Sequence, residues 1–283
     1  MAIVSDESDD RFKAACVQLN AGSDMGANVD AALALMRTAV AHGARVVMTP
    51  EYTGMMDGSG RVMREGARLE SEHPALAAFC AFAAETGAWL LIGSLTVTTD
   101  EERIANRSYL ISGEGAVAAR YDKIHMFDVT MPDGRAIQES KAYRPGDRAV
   151  LAQTPWGAFG MSVCYDLRFP ALYRTLAQAG AQYLSVPSAF TAQTGPAHWH
   201  VLLRARAIEN ACYVFAPAMC GTHPGNRATY GHALIVDPWG KILAEAGDEP
   251  GVIYAEIERA AVAKARGMIP SLTHDRAFVI ERR

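Results

Sequence analysis

A cysteine, a glutamate and a lysine carry the chemistry that this sequence can be expected to do. Cys164 follows the small and apolar run from Ala158 to Val163, which reads as a buried strand. It precedes Phe169-Pro170, which opens a helical run from Ala171 to Ala179 closed by Gly180. A thiol at such a strand-to-helix turn points out of the sheet edge, with backbone N–H groups of the next turn close by. An acyl-transfer nucleophile needs that geometry. A buried cysteine is also an ordinary small hydrophobe, so position alone leaves both readings open. Glu51 ends the run Val46-Val47-Met48-Thr49-Pro50 and should stand at the C-terminal edge of a strand; alone, it also reads as a helix-starting carboxylate. Lys123, in Ala119-Arg120-Tyr121-Asp122-Lys123-Ile124-His125, lies where a strand gives way to a loop, and alone it is also a solvated loop charge. Sites in open α/β sheets gather at the carboxyl ends of strands, which favours reading the three together.

Amide hydrolysis is a reaction such a trio can perform. It needs a nucleophile, a proton shuttle and something to hold the developing oxyanion. A free thiol has a pKa of about 8.5 and is mostly protonated at neutral pH. Glu51 can take that proton if burial raises its own pKa toward neutrality, and can then return it to the leaving group. Lys123 is a fixed cation for thiolate and oxyanion, and the Tyr165 backbone N–H is the expected second oxyanion donor. A Glu–Lys pair also keeps either charge from being buried alone. His125 invites a Cys–His dyad. His198 and His200 suggest a metal, but residues at i and i+2 of a helix face different directions, and no carboxylate follows at a metal-type spacing. No metal is therefore expected.

The elements that must position these groups alternate. Phe12 to Leu19, Val46 to Met48 and Trp89 to Ile92 read as strands, interleaved with helices at Val29 to Ala41 and Ala75 to Thr86. Tyr109-Leu110-Ile111 and Ala116-Val117-Ala118 flank a hairpin turn at Gly113-Glu114-Gly115. After the Cys164 turn and its helix come a strand at Tyr183 to Val186, a helix at Ala197 to Asn210 and a strand at Tyr213 to Ala216. A last hairpin turns at Asp237-Pro238-Trp239-Gly240. Past Arg259 the periodicity is lost. The pattern says α/β with mixed sheets, without Pro- or Ser-rich linkers or tandem repeats. The stripe Val201, Leu202, Ala205, Ile208 reads as core or subunit contact rather than a binding box.

Pro50-Glu51, Tyr121-Asp122-Lys123-Ile124-His125-Met126-Phe127-Asp128 and Cys164-Tyr165-Asp166-Leu167-Arg168-Phe169-Pro170 resemble, in order and surroundings, the motifs of the nitrilase (carbon–nitrogen hydrolase) superfamily. Gln138-Glu139-Ser140-Lys141 before Pro145-Gly146-Asp147 is similar to the family's second glutamate. The resemblance runs from about Lys13 to about Ile257. It implies a four-layer α-β-β-α sandwich with two mixed sheets, and a tail that wraps a partner subunit in a homodimer or higher homo-oligomer. Glu51, Lys123 and Cys164 become the catalytic set, with Glu139 orienting substrate or water and supporting Lys123. Glu139 otherwise reads as a surface carboxylate beside Lys141. His125 becomes a structural hydrogen-bonder.

Thr194 to Trp199, Leu203 to Glu209, Met219 to His223 and Tyr230 to Gly240 resemble the small ω-amide hydrolases of that family, and look closest to its deaminated-glutathione amidases. The resemblance implies a small carboxylate-bearing amide as substrate, cleaved through a Cys acyl-enzyme: deaminated glutathione, giving 2-oxoglutarate and cysteinylglycine. The alternatives are ω-amidase action on 2-oxoglutaramate or 2-oxosuccinamate, an N-carbamoyl amidohydrolase, or an interaction module that keeps the fold without the activity. Tyr165 and Arg168 are the expected substrate-binding residues, with Arg168 a cationic anchor or else a structural partner of Asp166 or of a helix end. His200 stands where that motif usually has glutamate, and Ala233 where serine is common.

Composition narrows the rest. The chain has 283 residues, half of them hydrophobic, and a formal net charge of −4, which suits one large domain over residues 11–283. No basic stripe invites nucleic acid or an anionic membrane. No apolar run approaches the roughly 18 residues of a membrane span. The acidic residues 1–10 read as a disordered leader rather than a signal peptide. Five scattered cysteines without a CxxC pair suit a reducing cytoplasm. Gly58-Ser59-Gly60 forms no P-loop or dinucleotide fingerprint, so no cofactor is expected.

Overall fold

Alternate residues of the first strand serve different cores, and that division sets the architecture. In β1 (Arg11–Gln18), Ala14 and Cys16 belong to one buried cluster and Ala15 and Val17 to another. A strand apolar on both faces has to be covered on both. The computed structural model describes residues 10–99, 103–131, 134 and 136–283. Its next elements are α1 (Met25–Ala41), β2 (Val46–Met48), α2 (Gly60–Gly66), α3 (Pro74–Thr86), β3 (Trp89–Thr98), β4 (Ile104–Ile111) and β5 (Val117–Asp122). A short hairpin, β6 (Asp128–Thr130) and β7 (Ala136–Gln138), leads to β8 (Val150–Thr154), β9 (Gly157–Met161), α4 (Pro170–Gln178), β10 (Tyr183–Ser185), α5 (Gly195–Asn210) and β11 (Tyr213–Ala216). A second hairpin, β12 (Cys220–His223) and β13 (Arg227–Tyr230), precedes β14 (Leu234–Val236), β15 (Ile242–Glu245), β16 (Gly251–Glu258) and α6 (Ala260–Met268).

The first sheet has the order β16-β1-β2-β3-β4-β5 and the second β15-β14-β11-β10-β9-β8. Each holds three parallel strands, β1-β2-β3 and β9-β10-β11, flanked by antiparallel ones. Between the sheets Phe12, Val46 and Met48 meet Phe159, Met161 and Tyr183. Phe12 stacks on Trp156 at 5.0 Å and meets Tyr183 edge-on at 5.7 Å. Helices α1 and α3 cover the first sheet through Val29, Ala32, Met36, Ala39, Leu76 and Phe79. Helices α4 and α5 cover the second through Leu176, Trp199, Leu203 and Ala207. The layers run α-β-β-α, as the family resemblance implies.

Local sequence explains where these helices start and stop. Asp24 caps α1 by accepting from the Ala27 N–H at 3.1 Å. Pro74 and Pro170 open α3 and α4, where a missing N–H costs nothing, and Gly87 ends α3 at φ 72°.

One expectation needs correction, and two are made more definite. Residues past Arg259 do not lose periodicity at once, because the alanine-rich Ala260–Met268 stretch forms α6 with Val262 and Ala265 buried. Val201 and Ile208 are 68% and 54% exposed, so within this chain they are not core. A 3₁₀ turn, Cys164–Arg168, intervenes between β9 and α4. Of the acidic leader, residues 1–9 lie outside the described residues. No helix among the described residues is long and apolar enough to cross a membrane.

Candidate active site

Glu51 lies just past β2, and the chain turns there in a way that only a close neighbour without a side chain permits. A Cβ on Gly93 of β3 would come within 2.2 Å of the Thr49 carbonyl oxygen and 2.3 Å of the Pro50 carbonyl oxygen. Tyr52 adopts the left-handed conformation (φ 62°), and its N–H donates to Ser94 Oγ at 2.9 Å. Left-handed backbone is costly for a tyrosine and persists only where the surroundings hold it. On the facing sheet, Cys164 has φ 49° just past β9, and its N–H donates to the Pro187 carbonyl at 2.9 Å. Asp166 pins this turn. Its carboxylate accepts from the Val163 N–H (2.8 Å), the Tyr121 hydroxyl (2.7 Å) and the His125 N–H (3.0 Å). His125 Nδ1 lies 2.7 Å from the same carboxylate, and its ring stacks on Phe169 at 3.5 Å. His125 is thus a structural partner of Asp166. Asp166, committed there, forms no ion pair with Arg168.

The charged groups meet between the sheets. Lys123 follows β5, anchored by its N–H to the Asn106 carbonyl and by its own carbonyl to the Gly146 N–H. Its Nζ donates to Glu51 Oε1 at 3.0 Å and to both oxygens of Glu139 at 2.9 Å. Glu51 also accepts from Asn106 Nδ2 (2.9 Å) and, through Oε2, from the Ala189 N–H (2.9 Å). Glu139 accepts from the Phe127 N–H (2.6 Å) and the Tyr52 hydroxyl (3.0 Å). Glu51 and Lys123 are 1% and 2% exposed, so each depends on the other for compensation. Glu139 is no surface carboxylate paired with Lys141; it faces the same ammonium.

These charges fix the protonation states. Burial pushes the Cys164 thiol far up, and the Glu51 carboxylate adds to that more than Lys123 takes away. Burial alone would raise Glu51 too, yet the charges of Lys123 and Arg227 and the hydrogen bonds from Lys123 and Ala189 hold it below the usual carboxylate range. This reverses the expectation that Glu51 would titrate near neutrality. Burial would lower Lys123, but Glu139 and Glu51 more than offset it and keep the ammonium charged. The resting site therefore holds a neutral thiol beside an ionised carboxylate. Proton transfer has to accompany attack, as general-base catalysis, and not precede it.

All of these groups border a cavity of about 570 Å³, with Tyr165 and Arg168 in its wall. Arg168 is half-buried, lies over the Phe190 ring at 5.3 Å and approaches His198 Nδ1 at 3.2 Å. A second guanidinium went unread in the sequence. Arg227 opens β13, lies over the Tyr52 ring at 5.5 Å and pairs with no carboxylate among the described residues. It balances the site, where two carboxylates face two cations. The turn of its hairpin is seated by close backbone contact: the Gly58 N–H donates to the Pro224 carbonyl at 2.9 Å, and a Cβ on Gly58 would sit 2.5 Å from the Gly225 carbonyl oxygen. Asn106 was missed as well. The signal was a buried amide inside the strand Ile104-Ala105-Asn106, where a polar group requires partners. For Arg227 the available signal was the Pro224-Gly225-Asn226 turn between residues already noted for their resemblance.

Residues 13–267 match the family model for carbon–nitrogen hydrolases. A deaminated glutathione amidase of Synechocystis sp. is 40% identical over 272 residues, covering 95% of this chain and 99% of that protein. Among solved structures, the NitFhit protein of Caenorhabditis elegans superposes with a TM-score of 0.89 at 34% identity. That match covers 94% of this chain, which spans only 65% of NitFhit. Nit3 of Saccharomyces cerevisiae, a member of branch 10 of the nitrilase superfamily, gives a TM-score of 0.85 at 30% identity over 95% of this chain and 97% of its own.

Proposed function

The chain belongs to the carbon–nitrogen hydrolase family and is an amidase of the nitrilase superfamily, and from that premise we propose that it cleaves deaminated glutathione through an acyl-enzyme on Cys164. The observation that carries the choice of substrate is the pair of guanidinium groups, Arg227 and Arg168, in the wall of one cavity with the thiol. Deaminated glutathione is a dianion, with one carboxylate on the 2-oxo acyl part and one on the departing cysteinylglycine. Arg227, whose charge acts on Glu51, Cys164 and Glu139, suits the short acyl end. Arg168, on the Phe190 side, suits the far carboxylate.

Each step has a resident group. Glu51 accepts the thiol proton as Sγ bonds to the scissile carbonyl carbon. The oxyanion that forms faces the Lys123 ammonium and the Tyr165 N–H, which lies in the first turn of its 3₁₀ helix and has no intrahelical acceptor. Collapse breaks the C–N bond, and Glu51 protonates the leaving amine. Glu51 then deprotonates a water that attacks the thioester, which releases 2-oxoglutarate and restores the thiol. Glu139 and Asn106 hold Lys123 and Glu51 in place.

The test compares substrates. kcat/KM for deaminated glutathione should exceed that for 2-oxoglutaramate by roughly tenfold, a difference of about 1.4 kcal/mol in transition-state binding. Arg227→Met should impair both substrates, and Arg168→Met only the larger one. Equal ratios would favour the ω-amidase reading, which the engagement of Arg168 by His198 supports. Turnover of neither would point to another amide, such as an N-carbamoyl compound. We further propose a twofold dimer formed over exposed Val201 and Ile208, with Phe278, Val279 and Ile280 of the final segment, 80–92% exposed, reaching the partner. Sedimentation at the mass of a single 30.5 kDa chain would refute it. Five free cysteines favour a reducing cytoplasm as its location.

A further inference from the structure

We infer that His200, His232 and Glu245 form a binding site for a borderline divalent cation of the zinc type, outside the amidase cavity. The sequence suggested a metal only through His198 and His200, a pair that faces apart. The fold instead brings His200 of α5 to His232, just past β13, and to Glu245 at the end of β15. His200 Nε2 lies 2.8 Å and His232 Nδ1 lies 3.2 Å from the same oxygen, Glu245 Oε1. All three ligand atoms fall within 4.8 Å of one another. With metal–ligand bonds of about 2.0–2.1 Å, those two separations subtend angles of roughly 85–105° at a shared ion. Those angles are close to the octahedral and tetrahedral values, so each histidine can share an ion with Glu245 Oε1.

The surroundings are also those of a ligating histidine. The second nitrogen of His232, Nε2, is 3.3 Å from Asp248 Oδ1, and a carboxylate on the far nitrogen is what fixes the orientation of a metal-bound imidazole. The Tyr230 ring stacks on His232 at 4.3 Å and holds it from the side. Two imidazoles and one carboxylate favour zinc, copper or nickel over calcium or magnesium, which take oxygen. The three side chains are 27%, 23% and 38% exposed, which leaves a solvent-facing side for entry and for a water as fourth ligand.

The site bears on the architecture around the cavity. His232 is left-handed (φ 56°), and its carbonyl accepts from the Trp199 indole N–H at 2.8 Å. Trp199 is fully buried and lies 5.1 Å from Phe190, the ring beneath Arg168. A bound ion ties α5, the segment after β13 and β15 together at that point, and stabilises the folded chain by mass action.

The test uses the full-length Cys164→Ala variant, which removes the reactive thiol as a competing ligand. Co²⁺ should bind with one ion per chain and show the visible absorption of nitrogen- and oxygen-coordinated cobalt, and Zn²⁺ should raise the Tm. His200→Gln and Glu245→Gln should abolish both responses with an unchanged circular dichroism spectrum. Asp248→Asn, on an exposed side chain, should retain the ion with affinity reduced about tenfold or more. Absence of Co²⁺ binding, or binding that His200→Gln leaves unchanged, would overturn the proposal and leave a set of histidine–glutamate hydrogen bonds.

Discussion

The ends of β2 and β9 face each other across the active site and solve the same problem in different ways. Both leave their sheets through a residue with a left-handed backbone, Tyr52 at φ 62° and Cys164 at φ 49°. At β9 the strained residue is itself the chemical group. A thiol needs no counter-charge at rest, so it requires only a position, which Asp166 supplies by gripping the turn from inside. At β2 the chemical group is Glu51, one residue before the strained one, and an ionised carboxylate that is 1% exposed cannot stand alone. It is surrounded by Lys123, Asn106 and the Ala189 amide, each from a different segment. A neutral nucleophile needs only its turn held, whereas a buried charge needs opposite charge and donors gathered around it.

This contrast makes Cys164→Ala the most one-sided test. Hydrolysis should fall to background with stability nearly unchanged, because the turn holds a small residue by its backbone. Alanine at Cys16, Cys80, Cys212 or Cys220 should leave turnover largely intact. Substantial activity in Cys164→Ala would end the assignment of the nucleophile. At the other strand end, rate and stability should fall together. Glu51→Gln and Lys123→Ala should each cost on the order of 10²-fold or more in turnover. Lys123→Ala, which leaves two buried carboxylates facing each other, should also lower unfolding free energy by roughly 3–5 kcal/mol. A Lys123→Ala protein as stable as the parent in urea titration would break the comparison.

A smaller effect is expected at Gly93→Ala, whose Cβ would collide with two carbonyl oxygens at the β2 end. A loss of about 1–3 kcal/mol with reduced turnover is the expected result, as for other overpacked sites. The smallest expected effect is in the pH profile. Because the thiol is held high and Glu51 low, kcat/KM should show no inflection near the free-thiol value of about 8.5. Glu51 in the unfolded chain gains its proton first as pH falls. Its contribution to stability is therefore full above the ordinary glutamate range and declines as pH drops through and below it. A rate that rises with a thiol-like pKa would instead mean a preformed thiolate, and alkylation by iodoacetamide across pH gives an independent reading of the same point.

How much of this was legible in the sequence follows the same division. Cys164 and Glu51 sit where an apolar run ends and Lys123 where a strand gives way to a loop, patterns local enough to see, and the motifs around them located Glu139. The alternation of strands and helices foretold α/β with mixed sheets, and the family resemblance implied the layers. Arg227 was hidden because its role depends on a hairpin folding back over Tyr52, some 175 positions earlier in the chain by residue number. The low value of Glu51 was hidden for the same reason: burial is inferable from a strand end, but the two cations that outweigh it come from elsewhere. The misreading past Arg259 was of another kind. Ala260-Ala261-Val262-Ala263-Lys264-Ala265 has high helix propensity but, being mostly alanine, little contrast between an apolar and a polar face.

The hydrogen bond from the Ala189 amide to Glu51 joins residues 138 positions apart, and that from Lys123 to Glu51 spans 72. Contacts of such separation carry the largest loop-closure cost and in general form late. During synthesis Glu51 and Lys123 emerge well before the nucleophile, and Cys164 before the amide that completes the carboxylate's shell. The thiol is then without its assembled base until both sheets have docked. Appearance of amidase activity in a refolding experiment would therefore time the closure of the sandwich itself, later than any signal from an individual helix.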